Sequence, residues 1–258
     1  MSRLKGKTTI VTGGGQGIGA AIALRFATEG ARVVIAELNQ ETGDATARDI
    51  AAQTGADVIC LQTDVSEPDS IKNMHDKAVA AFGVVDVLVN NAGIAVFHEP
   101  LESTMEDWRK CMSVDLEGVW HCCRQVLPDM LKKGEGAIIN IVSNHAFTVM
   151  KSTFPYPVAK HGLLGLTRSL ALEYADRGVA VNAISPGYVE TPVADWYFNQ
   201  HDDPVAARAE TEAKQPVGRL CRPSEVAAIA TMLASDEARF IIGENIVIDG
   251  GVTIRMYE

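Results

Sequence analysis

Short apolar runs alternate with longer helix-forming stretches along the whole chain, and this order constrains the fold more than any single motif. The apolar runs are "KTTIVTG" (Lys7–Gly13), "ARVVIAE" (Ala31–Glu37), "DVICLQTD" (Asp57–Asp64), "DVLVNNAG" (Asp86–Gly93), "GAIINIVS" (Gly136–Ser143), "VAVNAISP" (Val179–Pro186) and "NIVIDGG" (Asn245–Gly251). Between them, helices are predicted over Ile18–Gly30, Gln40–Gly55, Glu67–Gly83, a long stretch near Met105–Lys132, about Tyr156–Arg177, and Ser224–Ala234. Most of the strand runs are continuously apolar rather than alternating, as expected of strands covered on both faces. Such β-α alternation predicts an α/β fold: one Rossmann-type doubly wound parallel sheet of about seven strands, with helices on both faces and the site outside the strands' carboxyl ends. The 258 residues, 47% hydrophobic, suffice for one large core, so residues 1–258 are read as a single domain.

Charge and cysteine usage narrow the partners. Lys+Arg 23 against Asp+Glu 33 leaves a net charge of −10 without a basic run, which argues against nucleic acid. Cys60, Cys111, Cys122, Cys123 and Cys221 form no C-x-x-C and are odd in number, so neither a disulfide framework nor a zinc site is expected. No His pair has metal-ligand spacing, and no metal is expected. The first apolar run is too short for a signal peptide and no later run approaches a membrane span. A cytoplasmic protein with reduced thiols and no membrane partner is the expectation.

"TGGGQGIG" (Thr12–Gly19) joins the first strand to the first helix. Glycine permits a tight turn and close backbone approach to a diphosphate, and the helix start offers free N–H groups. The spacing Gly13-x3-Gly17-x-Gly19 differs from G-x-G-x-x-G, so position rather than pattern carries the reading. Glu37 ends the second strand about twenty residues on, where a carboxylate accepts hydrogen bonds from ribose hydroxyls and repels a 2′-phosphate. NAD is therefore expected over NADP.

Tyr156 and Lys160 stand at i and i+4 and share one helix face. An ammonium there favours the phenolate and is expected to lower the tyrosine's pKa from about 10. Ser143, at the end of a neighbouring strand, would orient the same substrate oxygen. The three form a complete set for proton transfer at a hydroxyl or carbonyl.

"TGGGQGIG", "TDVS", "NNAG", Ser143 with "YPVAK", "NAISPGYVETP", "RPSEVA" and "IDGG" stand in the order and spacing of the short-chain dehydrogenase/reductase family, which the chain resembles over essentially its whole length. The resemblance implies that Gly13, Gln16, Gly17, Ile18 and Gly19 hold the diphosphate and Glu37 the adenosine ribose. It implies Asp64 and Val65 beside the adenine, and Asn90, Asn91, Ala92 and Gly93 along the cofactor channel. Tyr156 and Lys160 would also touch the nicotinamide ribose, and Pro186, Gly187, Val189 and Thr191 the nicotinamide end. A homotetramer is implied as well.

The chain departs from the family at two places. Asp115 stands where the family commonly has an asparagine of a proton relay ending at the lysine; it is kept among the catalytic candidates, and its charge would raise the lysine's pKa. Pro157 pushes its predecessor from helical angles, so the helix is expected to begin at about Tyr156. Around the set, Asn144, His145, Phe154, Tyr188 and Trp196 are candidate substrate contacts, with a lid over about residues 191–218. Asn144 and His145 favour a hydroxylated substrate such as a sugar or sugar acid. The expected activity is NAD-dependent interconversion of a secondary alcohol and a ketone, or lactol and lactone. A ketone or 3-oxoacyl-type reductase is the alternative, and a catalytically weak NAD-binding sensor, motivated by Asp115 alone, is the alternative of another class.

Overall fold

The computed structural model describes residues 2–256. Met1 and the end of the C-terminal "VTIRMYE", Tyr257 and Glu258, lie outside the described residues. The chain forms strands β1 (Thr8–Thr12), β2 (Arg32–Glu37), β3 (Val58–Gln62), β4 (Val87–Asn90), β5 (Phe97–His98), β6 (Gly136–Ile141), β7 (Phe154–Pro155), β8 (Val179–Pro186) and β9 (Asn245–Ile248). Seven of them make one parallel sheet in the order β3-β2-β1-β4-β6-β8-β9. The chain builds outward from β1 to β3, then crosses back to β4. The crevice between β1 and β4 is thus the point where strand order reverses, which is where an open α/β sheet binds its ligand.

The helices are α1 (Gly17–Thr28), α2 (Gln40–Thr54), α3 (Pro68–Phe82), α4 (Met105–Met112), α5 (Gly118–Lys133), α6 (Tyr156–Tyr174), α7 (Pro192–Phe198), α8 (Pro204–Lys214) and α9 (Pro223–Ala234). Ile22 and Phe26 of α1, Ala47 and Ile50 of α2 and Val226 and Leu233 of α9 pack with Val11, Val33, Ile35 and Ile139. On the other face, Ile71 and Met74 of α3, Val126 and Met130 of α5 and Leu163 of α6 pack with Ile10, Val34, Leu88 and Ile138. Alternate residues of one strand serve opposite cores, so most positions are apolar; this is the physical reason the strands read as apolar runs.

Three features differ from the sequence reading. The long helix near Met105–Lys132 is interrupted by one π-helical turn at Ser113–Glu117, between α4 and α5. That wide turn carries Asp115, and such turns concentrate at functional sites. Two-residue strands β5 and β7 pair antiparallel apart from the main sheet, with Phe97 opposite Pro155 and His98 opposite Phe154. The segment expected as a lid is built from α7 and α8. Helix α6 begins at Tyr156, where Pro157 predicts it.

Candidate active site

The loop from β1 to α1 is held by side chains that reach it from neighbouring strands. The Thr12 hydroxyl accepts the N–H groups of Asn91 and Ala92, both at 3.0 Å. The Asn91 amide in turn donates to the carbonyls of Thr12 and Gly13 at 3.0 Å each. A Cβ on Gly19 would overlap the Gly13 carbonyl oxygen and lie 2.6 Å from Asn91 Nδ2. Glycine is thus required there by close approach, and the first N–H groups of α1 stay open at the loop. Gln16 is the N-cap of α1 with no side-chain capping bond, and Ile18 packs against the core shared by α1 and α9.

Glu37 reaches back to the same loop. Its Oε2 accepts the Gly15 N–H at 3.0 Å and Oε1 the Asn39 N–H at 3.3 Å. A Cβ on Gly15 would stand 2.8 Å from Oε2, so Gly15 makes room for the carboxylate. Asp64 and Val65 follow β3. Asp64 Oδ1 accepts the Ser66 N–H at 2.9 Å and its hydroxyl at 2.7 Å, and Val65 is buried. On the far side of the crevice, β8 ends at Pro186 and the Gly187 N–H donates to the Ile248 carbonyl at 2.9 Å. Val189 bridges to Cys221. Thr191 caps α7 and sets its methyl against Gly17, so α7 starts on the glycine loop.

Asn90 differs from the expectation. Its side chain is buried, donating to Asn140 Oδ1 at 2.9 Å, while Asn140 donates to Thr167 Oγ1 of α6 at 2.9 Å. It ties β4 and β6 to α6 beneath the sheet, because alternate residues of β4 point to opposite faces. Ala92 and Gly93 continue beyond it at the crevice.

Tyr156, on the first turn of α6, brings its ring under the Lys160 ammonium, 5.3 Å from the ring centroid. Ser143 is buried after β6, and its hydroxyl accepts the His145 N–H at 3.1 Å. Burial pushes the Tyr156 phenol above its ordinary range; Lys160 and the Ser143 hydroxyl pull it back, and Asp115 pushes it further up. The sequence-based expectation of a lowered tyrosine pKa is corrected here: desolvation outweighs the ammonium. Lys160 and Asp115 are 5% and 0% exposed, with Nζ and Oδ2 3.8 Å apart.

The surroundings of the phenol are aromatic. Phe97 meets the Tyr156 ring edge-on at 5.4 Å and His145 at 5.8 Å. Phe154 packs instead against Trp108 of α4, tilted 32° to it at 5.7 Å, leaving the place beside the tyrosine to Phe97. Sequence reasoning missed Phe97, Thr12 and Gly15. A two-residue strand carries no periodicity, whereas the threonine before the glycine cluster and the third glycine within it were visible signals. Asn144 opens a single 3-10 turn and its Oδ1 lies 3.4 Å from the Ser143 hydroxyl that donates to it. Tyr188 points its hydroxyl at Met150 Sδ, 3.8 Å away. Trp196 on α7 is exposed, and its neighbour Tyr197 packs against Phe198 and His201.

A glycine-lined crevice at the strand-order reversal, with a Ser-Tyr-Lys set across it, defines a dinucleotide-dependent oxidoreductase. A family model described as enoyl-(acyl carrier protein) reductase matches residues 13–253. The chain is 41% identical to the cis-4-hydroxycyclohexanecarboxylate dehydrogenase of Sinomonas cyclohexanicum, over 96% of each chain. It is 39% identical to the D-threitol dehydrogenase of Mycolicibacterium smegmatis, over 98% of this chain and 95% of that one. The crystal structure of levodione reductase superposes with a TM-score of 0.96 at 31% identity, covering 98% and 100% of the two chains. The chain belongs to the short-chain dehydrogenase/reductase family, whose members bind a nicotinamide cofactor and act on CH–OH groups. Among the described residues no helix is long and apolar enough to cross a membrane, and no group of His, Cys, Asp and Glu is placed to hold a metal ion.

Proposed function

We propose that this chain interconverts a secondary alcohol and a ketone with NAD, and that Tyr156 is the acid/base. The observation that carries the reading is the convergence of Tyr156, Lys160 and Ser143 on one side of the crevice, with Glu37 seated at its ribose end. Bound NAD would accept hydride from the carbinol carbon. In that direction the Tyr156 phenolate takes the hydroxyl proton and Ser143 orients the reacting oxygen. The Glu37 carboxylate, steadied by two backbone N–H groups, favours ribose hydroxyls over a phosphate. Gly13, Gln16, Gly17, Ile18, Gly19, Asp64, Val65, Asn91, Ala92, Gly93, Pro186, Gly187, Val189 and Thr191 line the remaining cofactor path.

The substrate is a sugar or sugar acid by the polar Asn144 and His145, with Tyr188 at the mouth and Trp196 on a lid of about residues 191–218. A second reading, a carbocyclic alcohol, is favoured by the aromatic wall of Phe97 and by exposed Phe147, Val149 and Met150 at the rim. The name of the cis-4-hydroxycyclohexanecarboxylate relative supports it, and that of the D-threitol relative supports the first. Five free cysteines fit a cytoplasmic setting. The fully exposed Phe240, exposed Leu172 and half-uncovered Val247 on edge strand β9 support a homotetramer.

The test is NADH formation over a panel of aldoses, sugar acids, polyols, cyclohexanols and hydroxyacyl thioesters, with NADP in parallel. Turnover with NAD and its loss by at least about a hundredfold in Tyr156→Phe are expected, in line with removal of a general acid/base. A Tyr156→Phe variant with full turnover would sink the reading. Cofactor binding without any turnover would favour the sensor.

A further inference from the structure

We propose that the Asp115 carboxylate is the fixed counter-ion of the Lys160 ammonium, so that Tyr156 exchanges its proton beside a neutral ion pair rather than a bare positive charge. The inference rests on the acid/base role given to Tyr156 above. Asp115 is a positioning residue in this account, since it acts through Lys160.

The geometry assigns the role. Asp115 sits on the π-helical turn, is fully buried, and is anchored by Oδ1, which accepts the Ile94 N–H at 2.8 Å. Its Oδ2 has no hydrogen-bond partner and lies 3.8 Å from Lys160 Nζ. Among the described residues Lys160 makes no other ion pair. A buried carboxylate without a charge partner is costly, and so is a buried ammonium; among the described residues each is the other's one ionic partner.

Burial favours the neutral form of two further titratable groups near the phenol. Burial pushes the Cys111 thiol on α4 up to about 12, and burial pushes His145 below its ordinary range. Burial alone would pull Lys160 down, but the Asp115 carboxylate, with help from Tyr156, holds it above its usual range. Burial pushes the Asp115 carboxyl above its ordinary range, and the Lys160 ammonium and the Ile94 N–H pull it back toward the charged form; as a pair, the cation and the anion act on the phenol in opposite directions. Alcohol oxidation, which needs the phenolate, is shifted toward alkaline pH, and ketone reduction, which needs the phenol, persists into it.

Asp115→Asn removes the charge and keeps an oxygen for the Ile94 N–H. With the anion gone, the phenolate becomes the charge partner that keeps buried Lys160 protonated, so it forms more easily and the acid limb of kcat/KM for oxidation should move at least about one pH unit lower, with NAD affinity unchanged. A limb that stays in place or moves to higher pH overturns the proposal. So does loss of activity at every pH with NAD still bound, because that would place Asp115 in the proton transfer itself.

A second measurement uses the natural chain and stands if the variant fails to fold. The tyrosinate absorbance of the natural chain minus that of Tyr156→Phe isolates the one phenol. It should titrate at or above the ordinary value of about 10; titration well below 10 would overturn the counter-ion role. Full turnover by Tyr156→Phe would instead strike the functional reading, and the titration would still test the ion pair separately.

Discussion

Replacing Gly19 by alanine tests whether the loop after β1 is a diphosphate cradle. The new Cβ would overlap the Gly13 carbonyl oxygen and sit 2.6 Å from Asn91 Nδ2 and 2.8 Å from the Gly13 carbonyl carbon. Two of these atoms are backbone, and the third is pinned by bonds to Thr12 and Gly13 at 3.0 Å. None can yield by rotating a flexible side chain. The loop must move by about 1 Å to restore van der Waals separation, whereas a good N–H···O bond tolerates only a few tenths of an ångström. Hydrogen bonds to a charged group contribute about 1.5–3 kcal/mol each. Losing the worth of one or two weakens binding by about 3 kcal/mol, roughly a hundredfold in Kd. Titration calorimetry with NADH measures this directly. Gly165→Ala in α6 is the control, since outside its own helical turn no heavy atom lies within 4 Å of its Cβ position, and it should bind as the natural chain does. Equal affinity in Gly19→Ala, with the fold intact, would refute the cradle.

Glu37→Gln keeps an acceptor for the Gly15 N–H, gives up the longer bond from Asn39, and removes the charge. A carboxylate some 5 Å from a phosphate contributes about 1–2 kcal/mol of repulsion, so the NAD-over-NADP ratio of kcat/KM should fall about tenfold; an unchanged ratio assigns the preference elsewhere. The Arg219 guanidinium and the Arg222 N–H beside Glu225, at the entry to α9, hold its carboxyl down at about 2. A depressed carboxylate stabilises the fold above its unfolded pKa of about 4.3. In urea unfolding, Glu225→Gln should therefore be less stable than the natural chain at pH 6. The difference should close as pH falls from about 4.3 toward 2, and one that persisted at pH 2 would show that the charge is not its source.

How much of this was legible in the sequence depends on how local the cause is. The sheet was legible because its inner strands are buried by helices on both faces, which leaves largely apolar runs, and because a parallel sheet needs a helical crossover between strands. Gly13, Glu37, Ser143 and Pro186 could be placed because they stand at or just beyond strand ends, which the fold gathers on one edge. The short pair β5–β7 left no such trace: two residues have no period, so Phe97 surfaced beside Tyr156 only in three dimensions. The family resemblance implied Asn90 along the channel, yet alternation along β4 turns its side chain toward Asn140, which bonds onward to Thr167.

The tyrosine is the sharpest case. Four-residue spacing correctly brings Lys160 over its ring, but the direction of its pKa is set by how much water the site excludes and by what else shares the dry space. Burial is a property of the packed whole, and the third charge, Asp115, arrives from the π turn on another element. Spacing along α6 therefore pairs the tyrosine with its lysine, while burial sets the direction of the phenol's pKa and a carboxylate forty-five positions away from the lysine in sequence and 3.8 Å away in space pushes it further the same way.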